Sequence, residues 1–225
     1  MSRARRLVSV LVVVVGLGAS GFALPARGAE REPARAPTVE PDCIDGLRGA
    51  GLRLSPWPPN PVNRPGGVVC EVPEGISIAR GATGLRFQPP AKVNCAFGQR
   101  LAKFEVVLQE VAREVLRAKV TAIQQLGTYN CRRMAAYPDL VSEHSFANAI
   151  DIAVFFLANG KRVVVENDWV PADRPTTRGG ALFLRRLTRR LFDEHVFNVV
   201  LTPSYDAHHK NHLHLDGAAY VVDGT

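Results

Sequence analysis

The segment His212-Leu213-His214-Leu215 restricts the fold of this chain more than any other four residues. Successive side chains of a strand point to opposite faces, so His212 and His214 share one face while Leu213 and Leu215 share the other. The leucine face must lie against a core. The two imidazoles then look out together at whatever sits across from them. Histidine is unevenly placed along the chain as a whole. Four of the six histidines (His208, His209, His212 and His214) fall within seven residues. His144 stands seven positions before Asp151, where a loop enters the apolar run 150–157, and His195 sits at the end of a predicted helix.

Around these residues the pattern reads as α+β. Leu101, Phe104, Leu108, Val111 and Val115 recur at spacings of three and four, which predicts a helix over 98–119. A second amphipathic helix is predicted over 180–194, with Leu182, Phe183, Leu187, Leu191 and Phe192 on its apolar stripe. Residues 120–131 read as a strand leading into a turn, and 197–201 and 212–215 as two more. The runs 150–157 and 162–165 flank Asn159-Gly160, a strong hairpin signal. No βαβ rhythm stands out, so the expectation is a small antiparallel sheet flanked by helices.

The N-terminus argues for export. Arg3, Arg5 and Arg6 precede an uncharged run over 7–24, and small residues follow, which is the order of a secretory signal peptide over 1–29. Left uncleaved, the run is about long enough to span a bilayer; its small-residue end favours cleavage, and no stable membrane span is then expected. Residues 30–41 are rich in proline and charge and read as a disordered spacer, with one domain over 42–225. Removing 1–29 takes away four arginines and no acid, leaving 24 bases against 21 acids. With no basic run interleaved with aromatics, a nucleic-acid partner is not expected. The four cysteines, Cys43, Cys70, Cys95 and Cys131, form no CxxC pair, and in an exported chain they read as two disulfides. Of the three pairings, Cys43–Cys70 with Cys95–Cys131 is the one favoured. It would clip the proline-rich stretch 43–75, which reads as irregular, as an N-terminal extension.

A His–Asp–His set on rigid strands matches the ligand set of a catalytic zinc site, whose chemistry suits amide hydrolysis. Taken alone, an HxH pair is weak and occurs on many surface strands. Its weight comes from the separate pair His144 and Asp151 upstream. The segment SEHSFANAID, residues 142–151, resembles the S-x-H-x-x-G-x-A-x-D motif of the lysostaphin/D-alanyl-D-alanine metallopeptidase group. HKNHLHLD, residues 209–216, is similar to the H-x-D-H-F-H signature of that group's penicillin-insensitive murein endopeptidase. Residues 43–217 as a whole resemble the bacterial extensin-like C-terminal domain family, including the YNCR segment at 129–132.

That resemblance implies that His144, Asp151 and His214 bind zinc. It implies that His212 is the catalytic base or transition-state stabiliser and that His209 sits nearby as an outer or substrate contact. Arg132 would grip a peptide carboxylate, to which a planar guanidinium is suited. His208 has no matching role and is expected to be solvated. Two positions depart from the motifs. Ala147 replaces a glycine, which is tolerable if the backbone there is not left-handed. Asn211 replaces an aspartate and cannot ionise. Glu143 is expected to point away from His144 in an extended segment, and neither Glu143 nor Asp216 is assigned as a general base. The implied function is a zinc-dependent peptidase, of D,D- or L,D-type, acting on peptidoglycan peptides in the periplasm or cell envelope. The alternative is a non-catalytic peptidoglycan- or envelope-binding module that keeps the fold. A histidine-rich metal buffer is the third reading.

Overall fold

A computed structural model describes residues 43–57, 62–64, 68–135 and 137–225. The predicted signal peptide and spacer, 1–41, lie outside the described residues. Helix α1 (Cys43–Gly49) and strand β1 (Arg53–Pro56) open the described chain, and β2 (Val62–Arg64) and β3 (Val68–Cys70) form a separate two-stranded sheet. The stretch expected to be irregular therefore carries a helix and three short strands. The order continues as β4 (Gly75–Arg80), β5 (Arg86–Asn94), α2 (Cys95–Val111), β6 (Val120–Gly127), β7 (Ala149–Leu157) and β8 (Arg162–Val164). It ends with α3 (Val165–Asp168), α4 (Gly179–Asp193), β9 (Val199–Leu201), β10 (Leu213–Asp216) and β11 (Val222–Gly224).

Among the described residues the main sheet has nine strands in the order β1-β4-β5-β6-β7-β10-β9-β11, with β8 also paired to β7. It is neither small nor wholly antiparallel, which corrects the expectation. Strands β5 and β6 run parallel, as do β9 and β11. The parallel pair exists because α2 carries the chain back along the sheet between β5 and β6, as a crossover must.

The first predicted helix begins three residues early, because Asn94 caps it: its Oδ1 accepts the Phe97 N–H at 2.7 Å. It passes at Ala112–Leu116 into a π-helical turn. Leu101, Phe104, Leu108 and Val111 are buried, as their spacing requires. The stripe of α4 is buried at Phe183, Leu187 and Leu191, whereas Leu182 faces outward and is 40% exposed. Ile150, Ile152, Leu213 and Leu215 join the residues of α2 and α4 in one core cluster. The intervening residues of β7 and β10 face the other way.

The disulfides are Cys43–Cys95 and Cys70–Cys131, not the favoured pairing. The reason lies in packing. Helix α1 docks Cys43 and Leu47 into the main core beside the start of α2. Cys70 instead joins Val68 and Cys131 in a second, smaller cluster. All four cysteines are paired, which suits an extracellular or periplasmic protein. Among the described residues no helix is long and apolar enough to cross a membrane.

Candidate metal centre

Strands β7 and β10 pair so that His214 stands directly across from Asp151, with Leu213 across from Ile152 and Leu215 across from Ile150. The leucine and isoleucine pairs seal the core side, and alternation then puts the imidazole and the carboxylate together on the open side. His214 Nδ1 lies 2.9 Å from Asp151 Oδ1.

The third member arrives from a 3₁₀ turn, Glu143–Phe146, just before β7. His144 is 3% exposed, and its Nε2 lies 3.3 Å from both Asp151 Oδ2 and His214 Nδ1. The chain leaves this turn through Ala147, at φ 51° and ψ 36°. The condition for tolerating alanine at the motif's glycine is thus not met: the residue is left-handed, at a cost of roughly 1–2 kcal/mol. Several backbone contacts hold it there. Ala147 N donates to His144 O, Asn94 N donates to Ala147 O, and Asn94 Nδ2 donates to Phe146 O.

Two imidazole nitrogens and one carboxylate oxygen, all within 4.8 Å of one another, make a group able to hold a metal ion. The charges within it are strongly coupled. Burial alone would raise the Asp151 carboxyl, but hydrogen bonds with His144 and His214 outweigh it and hold that carboxyl well below the usual range. Burial alone would lower His214, but its bonds to Asp151 and Asp216 push it up to about 9.

The remaining histidines surround this group. His212 precedes the first residue of β10, and its Nε2 lies 3.6 Å from Asp151 Oδ1, on the side of His214 as alternation predicts. Its Nδ1 is 2.8 Å from Asn211 Oδ1, so the amide at the motif's aspartate still orients the ring. Burial lowers the His212 pKa, with Asp151 opposing. His209 ends a short 3₁₀ turn, Ala207–His209, that Asp206 caps; Asp206 Oδ1 also meets His209 Nδ1 at 2.7 Å. The His209 ring centroid is 5.3 Å from that of His212 and 5.8 Å from that of His214. His208 is exposed, and so is His195 beyond α4.

His144, Asp151, His208, His209, His212 and His214 line a cleft of about 580 Å³, which Arg132, Tyr137, Tyr205 and Tyr220 also border. Arg132 owes its place to Ser145. The Ser145 hydroxyl accepts the Arg132 N–H at 2.9 Å and lies 2.8 Å from the Arg132 carbonyl oxygen, so the YNCR segment is tied to the His144 turn. Glu143 does not point away in an extended segment, as expected, because the segment is a turn. Its Oε2 accepts from Asn148 Nδ2 at 2.6 Å on the cleft wall, where burial raises its pKa. Sequence reasoning missed Asp206 and its bond to His209, although the D-x-x-H spacing carried the signal.

The profile of the extensin-like protein C-terminus family matches residues 42–223. No curated protein and no solved structure matches the chain.

Proposed function

The chain belongs to the extensin-like protein C-terminus family, and from that premise we propose that it is a zinc-dependent peptidase hydrolysing amide bonds of peptidoglycan peptides in the cell envelope. The observation that carries this reading is the convergence of His144, Asp151 and His214 on the floor of a cleft, beside two further imidazoles. Two imidazoles and one carboxylate, with no thiolate, are a zinc-type donor set with room for a fourth partner. The ion, when bound, supplies a Lewis acid for a carbonyl and brings the pKa of water towards neutrality. Two motifs, at 142–151 and 209–216, support kinship with the lysostaphin/D-alanyl-D-alanine metallopeptidase group.

His212 is the proton carrier. Its Nδ1–H is engaged by Asn211 Oδ1, which leaves the Nε2 lone pair facing the centre. Burial keeps that ring neutral near pH 7 and able to accept a proton there. His209, set by Asp206, stands one ring further out and contacts substrate. Arg132, on the exposed lip, takes a peptide carboxylate. Export is supported by the paired cysteines and by the order of residues 1–29.

One observation favours the second reading, a non-catalytic envelope-binding module. Asn211 orients His212 but offers no charge to stabilise an imidazolium. The test is release of soluble fragments from purified sacculi, with and without chelator, beside zinc content. The wild type should hold about one zinc and release fragments. Asp151→Ala should lose both properties, and His212→Ala should keep the metal and lose release. Stoichiometric zinc with no release by the wild type would instead select the binding module.

A further inference from the structure

Both ring nitrogens of His214 are engaged, on opposite sides. Nδ1 faces Asp151 and His144, and Nε2 lies 2.9 Å from Asp216 Oδ2. A neutral imidazole carries one N–H, and which nitrogen bears it is set by the partner of the other. A carboxylate only accepts. We propose that Asp216 is a positioning residue for the metal centre: by accepting the Nε2 proton of His214, it leaves the Nδ1 lone pair aimed at the ion. This rests on reading the cleft as a metal site.

The geometry suits a fixed support. Asp216 is two residues from His214 on β10, so both side chains stand on one face. It is 2% exposed, and its second oxygen, Oδ1, accepts the Ala218 N–H at 3.0 Å. The backbone beyond it cannot shift freely. Gly217 N donates to Asn148 O, and a Cβ at Gly217 would come within 2.7 Å of Asn148 Oδ1. Asn148 in turn donates to Glu143, the neighbour of His144. One layer of bonds behind the site thus joins β10 to the turn that carries His144. Outer carboxylates of this kind fix the tautomer and orientation of a ligating histidine.

Asp216→Asn separates tautomer control from packing. The amide keeps an oxygen for Ala218 N–H and turns its NH2 towards Nε2. His214 must then carry its proton on Nδ1, where the ion should sit. Wrong-tautomer effects of this sort are severe where an aspartate-to-asparagine change has been made behind a catalytic histidine. Zinc affinity, measured by chelator competition, should fall about 10- to 100-fold in Asp216→Asn. It should fall less in Asp216→Ala, which removes the acceptor and imposes no donor. An Asn variant within about twofold of wild type, or an Ala variant weakened as much as the Asn variant, overturns the proposal while leaving the metal site standing. A wild type that takes up no zinc overturns both. Should either variant misfold, nitrogen-15 NMR of the zinc-loaded wild type decides. A proton on Nε2 of His214 supports the assignment, and a proton on Nδ1 refutes it.

Discussion

Loading the ion-free protein with zinc should expel a proton from His214. In the structure this ring lies between Asp151 and Asp216, and its pKa stands at about 9. At pH 7.4 nearly all ion-free molecules therefore carry the extra proton, while a ligating nitrogen must be bare. His214 alone should release close to one proton per zinc at pH 7.4. The His214 share alone should make affinity about ninefold weaker at pH 7 than at pH 8 and should level off above about pH 9. Titration calorimetry in buffers of different ionisation enthalpy reads the proton count as the slope of observed enthalpy. The same shift sets a stability trend without metal. The folded pKa lies above the unfolded value of about 6.5, so the contribution is whole below about pH 6.5 and is lost as pH rises through about 9. Its size is on the order of 3 kcal/mol, from 1.36 kcal/mol per unit. Asp151 is lowered by its bond to His144 and then by that to His214; the His214 share is the same energy seen from the other side and is not added. One zinc bound with no proton released at pH 7.4, or an ion-free melting temperature that stays level from pH 6.5 to 9, would refute the reasoning.

Two further outcomes follow from the bridges and from the cleft's lip. Each disulfide closes a long loop, with separations of 52 and 61 residues, so removing either should cost about 4 kcal/mol in the chain-entropy estimate. Urea melts of the double-serine variants measure this, and peptide mapping without reductant should recover 43–95 and 70–131 pairs. Arg132→Ala should raise KM about tenfold on a soluble cross-linked peptide with kcat little changed, and Arg132→Lys should restore only part of the loss. A fall in kcat at constant KM would take Arg132 out of ground-state binding.

The site was more legible in the sequence than the sheet that carries it. Alternation at 212–215 is a local signal, and it put the leucines in the core and the imidazoles outside without knowledge of any partner. Strand β5 carries no such signal. Its sequence RFQPPAKVN holds two prolines, which normally argue against an inner strand. The structure admits them because Pro89 and Pro90 fall between two ladders: β6 pairs with 86–88, and β4 pairs mainly with 91–94. Missing β5 meant missing the β5-α2-β6 crossover, and so the parallel pair. The disulfides were misread for a related reason. Their pairing depends on where α1 docks, which no pattern within 43–75 reveals. Ala147 was judged by residue type, but its left-handed backbone is imposed by contacts from a different part of the chain.

Those contacts explain why fold and site cannot be considered apart. Asn94 meets three demands at once. Its Oδ1 caps α2 through Phe97 N, its Nδ2 holds Phe146 O, and its backbone N–H holds Ala147 O. The next residue is Cys95, bridged to Cys43 on α1. The turn that presents His144 is therefore fastened to the same point where α2 begins and where α1 is stapled. Strain at a left-handed alanine persists only when its surroundings over-determine it, and here the bonds from Asn94 to Phe146 O and Ala147 O and the bond from Ala147 N to His144 O do so. Loosening that corner would release His144 from Asp151 and His214, which remain fixed to each other across the β7–β10 ladder. On this arrangement the candidate metal centre has a rigid half, made by cross-strand pairing, and a dependent half, held by Asn94.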